Sequence, residues 1–119
     1  MARAIFLVCI FVLAQSALGI TYSTVSISTD YNLDPAVDLV YADASAGSLI
    51  VTLPSAAASS GKCYKISDSK CATDVNNIMV VPQSGDTIMT WTGGMAVEPQ
   101  CGIVQVCSNG QTVWMVNSS

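Results

Sequence analysis

The sequence predicts a small all-β domain, an antiparallel β-sandwich or barrel-like fold of about eight short strands. Three observations lead there. Apolar and β-branched runs of about five residues return every eight to twelve residues or so, with Gly, Pro, Asn and Asp between them. No segment beyond residue 19 sustains the roughly 3.6-residue period of an amphipathic helix. Charge is sparse, at 10% of residues against 51% hydrophobic, which suits a domain that covers much of its surface by assembly.

The elements follow in order. Residues 22–28 alternate polar and apolar side chains, the period of a half-buried strand. Residues 30–35 are turn-rich, and 37–42 form a second strand. Gly47 closes the next turn before the strand 49–53, which Pro54 ends because proline has no N–H for a sheet ladder. Residues 55–60 suit one helical turn, with Ser55 as its N-cap and Gly61 as its stop. Strands are expected at 63–66, at 78–81 (stopped by Pro82), at 87–91, briefly at 95–97, at 101–107 and at 112–116. Asn109-Gly110 is the pair that favours a tight hairpin before the last of them.

The first residues read as an address. Arg3 supplies a positive start, residues 4–14 are apolar, and Ala17-Leu18-Gly19 place small residues where a signal peptidase cuts. The expectation is a secretory signal peptide over 1–19 and a single domain over 20–119. As a membrane anchor the run is short, since a span needs about 20 apolar residues. Cys9 falls inside this segment and outside any lipoprotein box.

Beyond residue 19, three lysines (Lys62, Lys65, Lys70) stand against eight acids, a net charge of −5. Such a balance makes a poor nucleic-acid or anionic-membrane binder. Four cysteines remain, Cys63, Cys71, Cys101 and Cys107, and an even number in a small secreted domain implies two disulfides. Residues 101–107 read as a strand, which would hold its end cysteines about 20 Å apart, too far to be bridged to each other. That leaves bridges between the two pairs, with 63–107 and 71–101 favoured over 63–101 and 71–107. A metal site would call for a tight Cys-x-x-Cys spacing, which is missing.

The chain has no histidine, which removes the usual serine and cysteine triads and most zinc hydrolase sites. Asp30, Asp34, Asp38 and Asp43 cluster in sequence. A glycosidase pair or a calcium site needs carboxylates that converge. The reading preferred here is that these aspartates shape turns through their own side chains. The sequence therefore implies no enzyme, cofactor or metal. Trp91, before Thr92-Gly93-Gly94, is the candidate binding platform, for a sugar ring or a partner, with a place in the core as the alternative. Trp114 alternates with Val113 and Met115 and reads as core or subunit interface, and Met79, Met89, Met95 and Met115 as core filler. Asn117-Ser118-Ser119 matches the N-glycosylation pattern and is read as a polar tail.

Four motifs stand in a recognisable order. Thr52-Leu53-Pro54 precedes a small-residue stretch, then Gly61-Lys62 and Tyr64-Lys65-Ile66. Asn76-Asn77-Ile78 follows, with Val80 and Pro82, then Ser84-Gly85-Asp86-Thr87-Ile88. Val104-Gln105-Val106 leads into Ser108-Asn109-Gly110-Gln111-Thr112-Val113-Trp114. Over residues 22–117 the pattern resembles the carboxy-terminal head domains of phage and viral fibre proteins. The signal peptide and the cysteines depart from the phage members. The resemblance implies a non-enzymatic structural and recognition module at a fibre tip or virion surface, assembled as a homotrimer. Its partners would be a virion protein or a cell-surface glycan. The alternative is a secreted cell-surface or carbohydrate-binding β-domain of cellular origin.

Overall fold

The computed structural model describes residues 22–118, and the expected signal peptide, 1–19, lies outside the described residues. These residues form ten strands and one 3₁₀ turn. In order they are β1 (Thr24–Ile27), β2 (Tyr31–Asn32), β3 (Leu39–Ala42), β4 (Leu49–Thr52), the turn Ala57–Ser59, β5 (Cys63–Asp68) and β6 (Ile78–Val81). β7 (Thr87–Ile88), β8 (Met95–Ala96), β9 (Ile103–Ser108) and β10 (Val113–Ser118) complete the fold.

The strands make two sheets, one ordered β1-β3-β5-β9-β10-β7 and the other β2-β4-β6-β8. Up to β6 the chain alternates between them, so it advances as a flattened coil that lays one strand on each sheet per turn. In the larger sheet Thr24, Leu39 and Lys65 stand side by side on successive turns. In the smaller one Tyr31, Val51 and Val80 do the same.

The all-β class is as expected. The antiparallel arrangement is corrected: β1-β3-β5, β2-β4-β6 and β7-β10 pair in parallel. Between the described strands, antiparallel pairing is found at β5-β9, β9-β10 and β6-β8. The physical reason lies in the connections. A period of two says which side chains face inward, and it is silent on strand direction. After β1, β3 and β5 the chain turns a corner into the opposite sheet instead of folding back in its own, and parallel neighbours require such a crossover. Strand β2, only two residues long, sits inside the run 30–35 that reads as a turn.

The core fills the space between the sheets. Val40 and Ala42 from β3, Tyr64 and Ile66 from β5 and Val104 and Val106 from β9 point in from one side, all buried. Leu49, Val51, Ile78 and Val80 answer from the other. Trp114 is fully buried, its ring centroid 5.7 Å from that of Tyr64 and tilted by 47°. It belongs to the core. Asn109 shapes the final hairpin: its Oδ1 accepts the N–H groups of Gln111 (2.8 Å) and Val113 (3.1 Å), and Gly110 takes a φ of 81°.

Ile66 lies at the centre of this core, so Ile66→Ala is expected to lower the unfolding free energy by about 2–5 kcal/mol. Met115→Ala, on the outer face of β10, should stay within about 0.5 kcal/mol of the parent. Denaturant unfolding of the two variants checks both values.

Candidate functional site

Strand β5 meets β9 along a seam closed at both ends. Cys63 is bonded to Cys107, its cross-strand partner, with Cα atoms 4.0 Å apart. Cys71 is bonded to Cys101 just beyond the other end, with Cα atoms 4.2 Å apart. This is the favoured pairing of the four cysteines. Cys71 and Cys101 both occupy the left-handed region, with φ of 56° and 64°, which ordinary side chains rarely adopt.

Asp68, the last residue of β5, holds that corner. It is buried, and its Oδ2 accepts the N–H of Cys101 (3.0 Å), the hydroxyl of Thr73 (3.0 Å) and the N–H of Thr73 (3.3 Å). Its Oδ1 accepts the N–H of Ala72 at 3.1 Å. Burial works to raise its pKa, but the donors at Cys101, Ala72 and Thr73 outweigh it and hold the carboxyl below its ordinary 3.8. Sequence reasoning passed over Asp68. Its one signal is an aspartate three residues before a bridging cysteine, in a polar loop.

The four clustered aspartates do not converge. Asp30 accepts the N–H of Ile50 (2.9 Å), Asp34 that of Ala36 (2.9 Å) and Asp43 that of Ser45 (2.9 Å). Asp38 receives Lys62 Nζ at 2.8 Å and the N–H of Ser23 at 2.9 Å, and these two donors, Lys62 first, lower its pKa. The Ser45 hydroxyl and then its N–H do the same for Asp43. Each carboxylate is a backbone acceptor at a turn. Among the described residues no three metal-ligating side chains come together.

Trp91 is 48% exposed and stands at the base of a two-residue reversal. Ile88 N–H donates to Trp91 O (2.9 Å) and Trp91 N–H to Ile88 O (2.8 Å), leaving Met89 and Thr90 at the tip. Met89 has a φ of 53° and is 39% exposed, and Met115 on β10 is 49% exposed, so neither is the core filler expected of it. Buried Ile88 anchors the turn, Met89 N–H donates to Trp114 O (2.8 Å), and the Thr87 hydroxyl donates to Met89 O (2.8 Å). The reversal also explains why the expected strand 87–91 stops at Ile88. Behind it, Gly94 lies so close to β6 that a Cβ there would sit 2.3 Å from Val80 O. The result is an apolar pair, Met89 and Trp91, displayed on a braced turn.

A shallow cavity of about 520 Å³ lies between the first two turns of the coil, lined by Ser28, Thr29, Asp30, Ala46, Gly47 and Ser48. Asp30 and Ser48 already accept the N–H groups of Ile50 and Asn77 there, so they are committed to the backbone. No protein-family model matches the chain, and no curated protein matches it.

Two outcomes follow from the Asp68 corner. Asp68→Ala leaves the Cys101 and Ala72 amides without their acceptor and should cost on the order of 1–3 kcal/mol in denaturant unfolding. Because the folded pKa of Asp68 lies below 3.8, its contribution is fully present above that pH and is lost as pH falls through the folded value. Acid titration of the melting temperature should therefore fall less steeply below pH 3.8 in Asp68→Asn than in the parent.

Proposed function

We propose that the chain is an extracellular, non-enzymatic structural and recognition module that assembles through its own sheet faces, as a homotrimer of the fibre-head kind. The observation that supports assembly is the outer face of the smaller sheet. Ile50, Met79 and Ala96 stand in register across β4, β6 and β8, with Thr52 and Val81 beside them, and none is charged. Ile50 is 42% exposed. Apolar area left in water costs about 25 cal/mol per Å², and identical faces cover one another around a symmetry axis. The carboxylates sit in the turns, so copies can approach on this face without bringing like charges together. Two disulfides accord with an oxidising compartment outside the cell. A virion protein or a cell-surface glycan is the partner this reading supplies.

Light scattering of the secreted, non-reduced protein at several concentrations tests it. The expected mass is a multiple of three protomers, and Ile50→Asp should remove that factor of three while circular dichroism stays unchanged. A parent mass that lacks the factor of three overturns the trimer.

The exposure of Trp91 favours a second reading, a secreted carbohydrate-binding domain. On that reading a glycan array shows binding by the parent, and Trp91→Ala removes it with no change in melting temperature. Binding that survives the substitution sets the platform aside.

A further inference from the structure

The coil has two unlike ends. One is finished by antiparallel β8 and by the β9-β10-β7 extension, whereas at the other β1 and β2 are the outermost strands of their sheets. Of the four edge strands, β2, β7 and β8 have two residues each. Edges that short are one way in which native sheets avoid pairing with other chains. Strand β1 is different. It has four residues, Thr24-Val25-Ser26-Ile27, without charge or proline, and pairs residue for residue with β3, without a bulge.

The outer edge of β1 is available to another strand. Ser23 O accepts from the amides of Asp38 and Leu39, and Ile27 O from that of Asp43, so the backbone groups of Ser23, Val25 and Ile27 face β3. By the alternation of a strand, those of Thr24 and Ser26 face the other way, where no strand lies among the described residues. The core also stops short here. Val25 and Ile27 are half-buried, whereas their neighbours Val40 and Ala42 are fully buried.

We propose that β1 pairs antiparallel with β1 of a second copy, joining two coils head to head. A second copy fits because the strands match in length. Head-to-tail stacking would set the four-residue β1 against the two-residue β7. The antiparallel sense fits because it puts the Asp30-bearing turns at opposite ends of the new strand pair, where a parallel sense would set them side by side. A two-fold axis perpendicular to the sheets also brings β2 against its own copy, so one operation covers both open edges. This pairing is independent of the face-to-face assembly proposed above: it multiplies the mass by two, where the face multiplies it by three.

Ser26→Pro is the direct test. It removes an N–H that points to the open edge and leaves the hydrogen bonds to β3 intact. The expected result is a parent mass that is an even multiple of the protomer and is halved in Ser26→Pro, while Ile50→Asp leaves the factor of two in place. An odd multiple in the parent, or an unchanged mass in a folded Ser26→Pro, overturns the proposal. Should the proline variant fail to fold, hydrogen exchange on the parent decides. The amides of Thr24 and Ser26 should be protected at high protein concentration and lose that protection on dilution, and amides that exchange freely at every concentration overturn it.

Discussion

The seam between β5 and β9 is the constraint on which the rest of the structure depends. On one side of β5 the sheet is parallel, with Leu39 beside Lys65, and on the other it is antiparallel, with Gln105 beside Lys65. The two halves of the larger sheet meet through this pair: β1 hangs on β3 and β3 on β5, while β7 hangs on β10 and β10 on β9. Residues of β5 and β9 that pair here lie far apart in the chain, so their contact closes a long loop at an entropic cost. The disulfides close loops of 44 and 30 residues at the two ends of the seam and remove much of that cost from folding, typically by about 2–4 kcal/mol each. Asp68 works at the same place. It fixes the corner in which two cysteines hold left-handed backbone, and its four accepted hydrogen bonds allow a charge to be buried there.

A coil of this kind turns many corners, and each corner exposes amides that no strand can satisfy. Aspartate meets that need around the molecule. Asp30, Asp34, Asp38, Asp43, Asp68 and Asp86 each accept a backbone N–H, from Ile50, Ala36, Ser23, Ser45, Ala72 and Ala56 among others. The acidity of the chain is thus a product of its turn chemistry, and a negative balance of this origin does not point to a cationic partner. It also explains the distribution of charge. Carboxylates gather where the chain bends, and Lys65 is the only charged residue whose side chain stands on the outer face of a strand among the described residues.

Much of this was legible in the sequence. The prolines at 54 and 82 mark the ends of β4 and β6, the Asn109-Gly110 pair marks the last hairpin, and the alternation in 22–28 marks Val25 and Ile27 as the inward residues of β1. The expectation of a strand between Cys101 and Cys107, which the structure gives as Ile103–Ser108, set aside one disulfide pairing, and the turn reading of the four clustered aspartates matches their hydrogen bonds. The parallel coil was not legible. Its short corners contain the same Gly, Asp and Ser residues that make hairpins, and strand direction leaves no mark on side-chain alternation. Asp68 was hidden for a related reason. Its donors come from Ala72, Thr73 and Cys101, and the last of these is 33 residues away, brought near only by the seam.

At Met89 local preference and structure disagree, as they do at Cys71 and Cys101. A φ of 53° suits glycine or asparagine, and a methionine there carries strain of order 1 kcal/mol or more. The strain persists because the surroundings leave no alternative: the amide is held by Trp114 O, the carbonyl by the Thr87 hydroxyl, and the flanking residues by the mutual hydrogen bonds of Ile88 and Trp91. Glycine would relieve the backbone, but it would remove the only apolar side chain at the tip of this turn. The turn thus holds two apolar groups, Met89 and Trp91, in water on a fixed backbone.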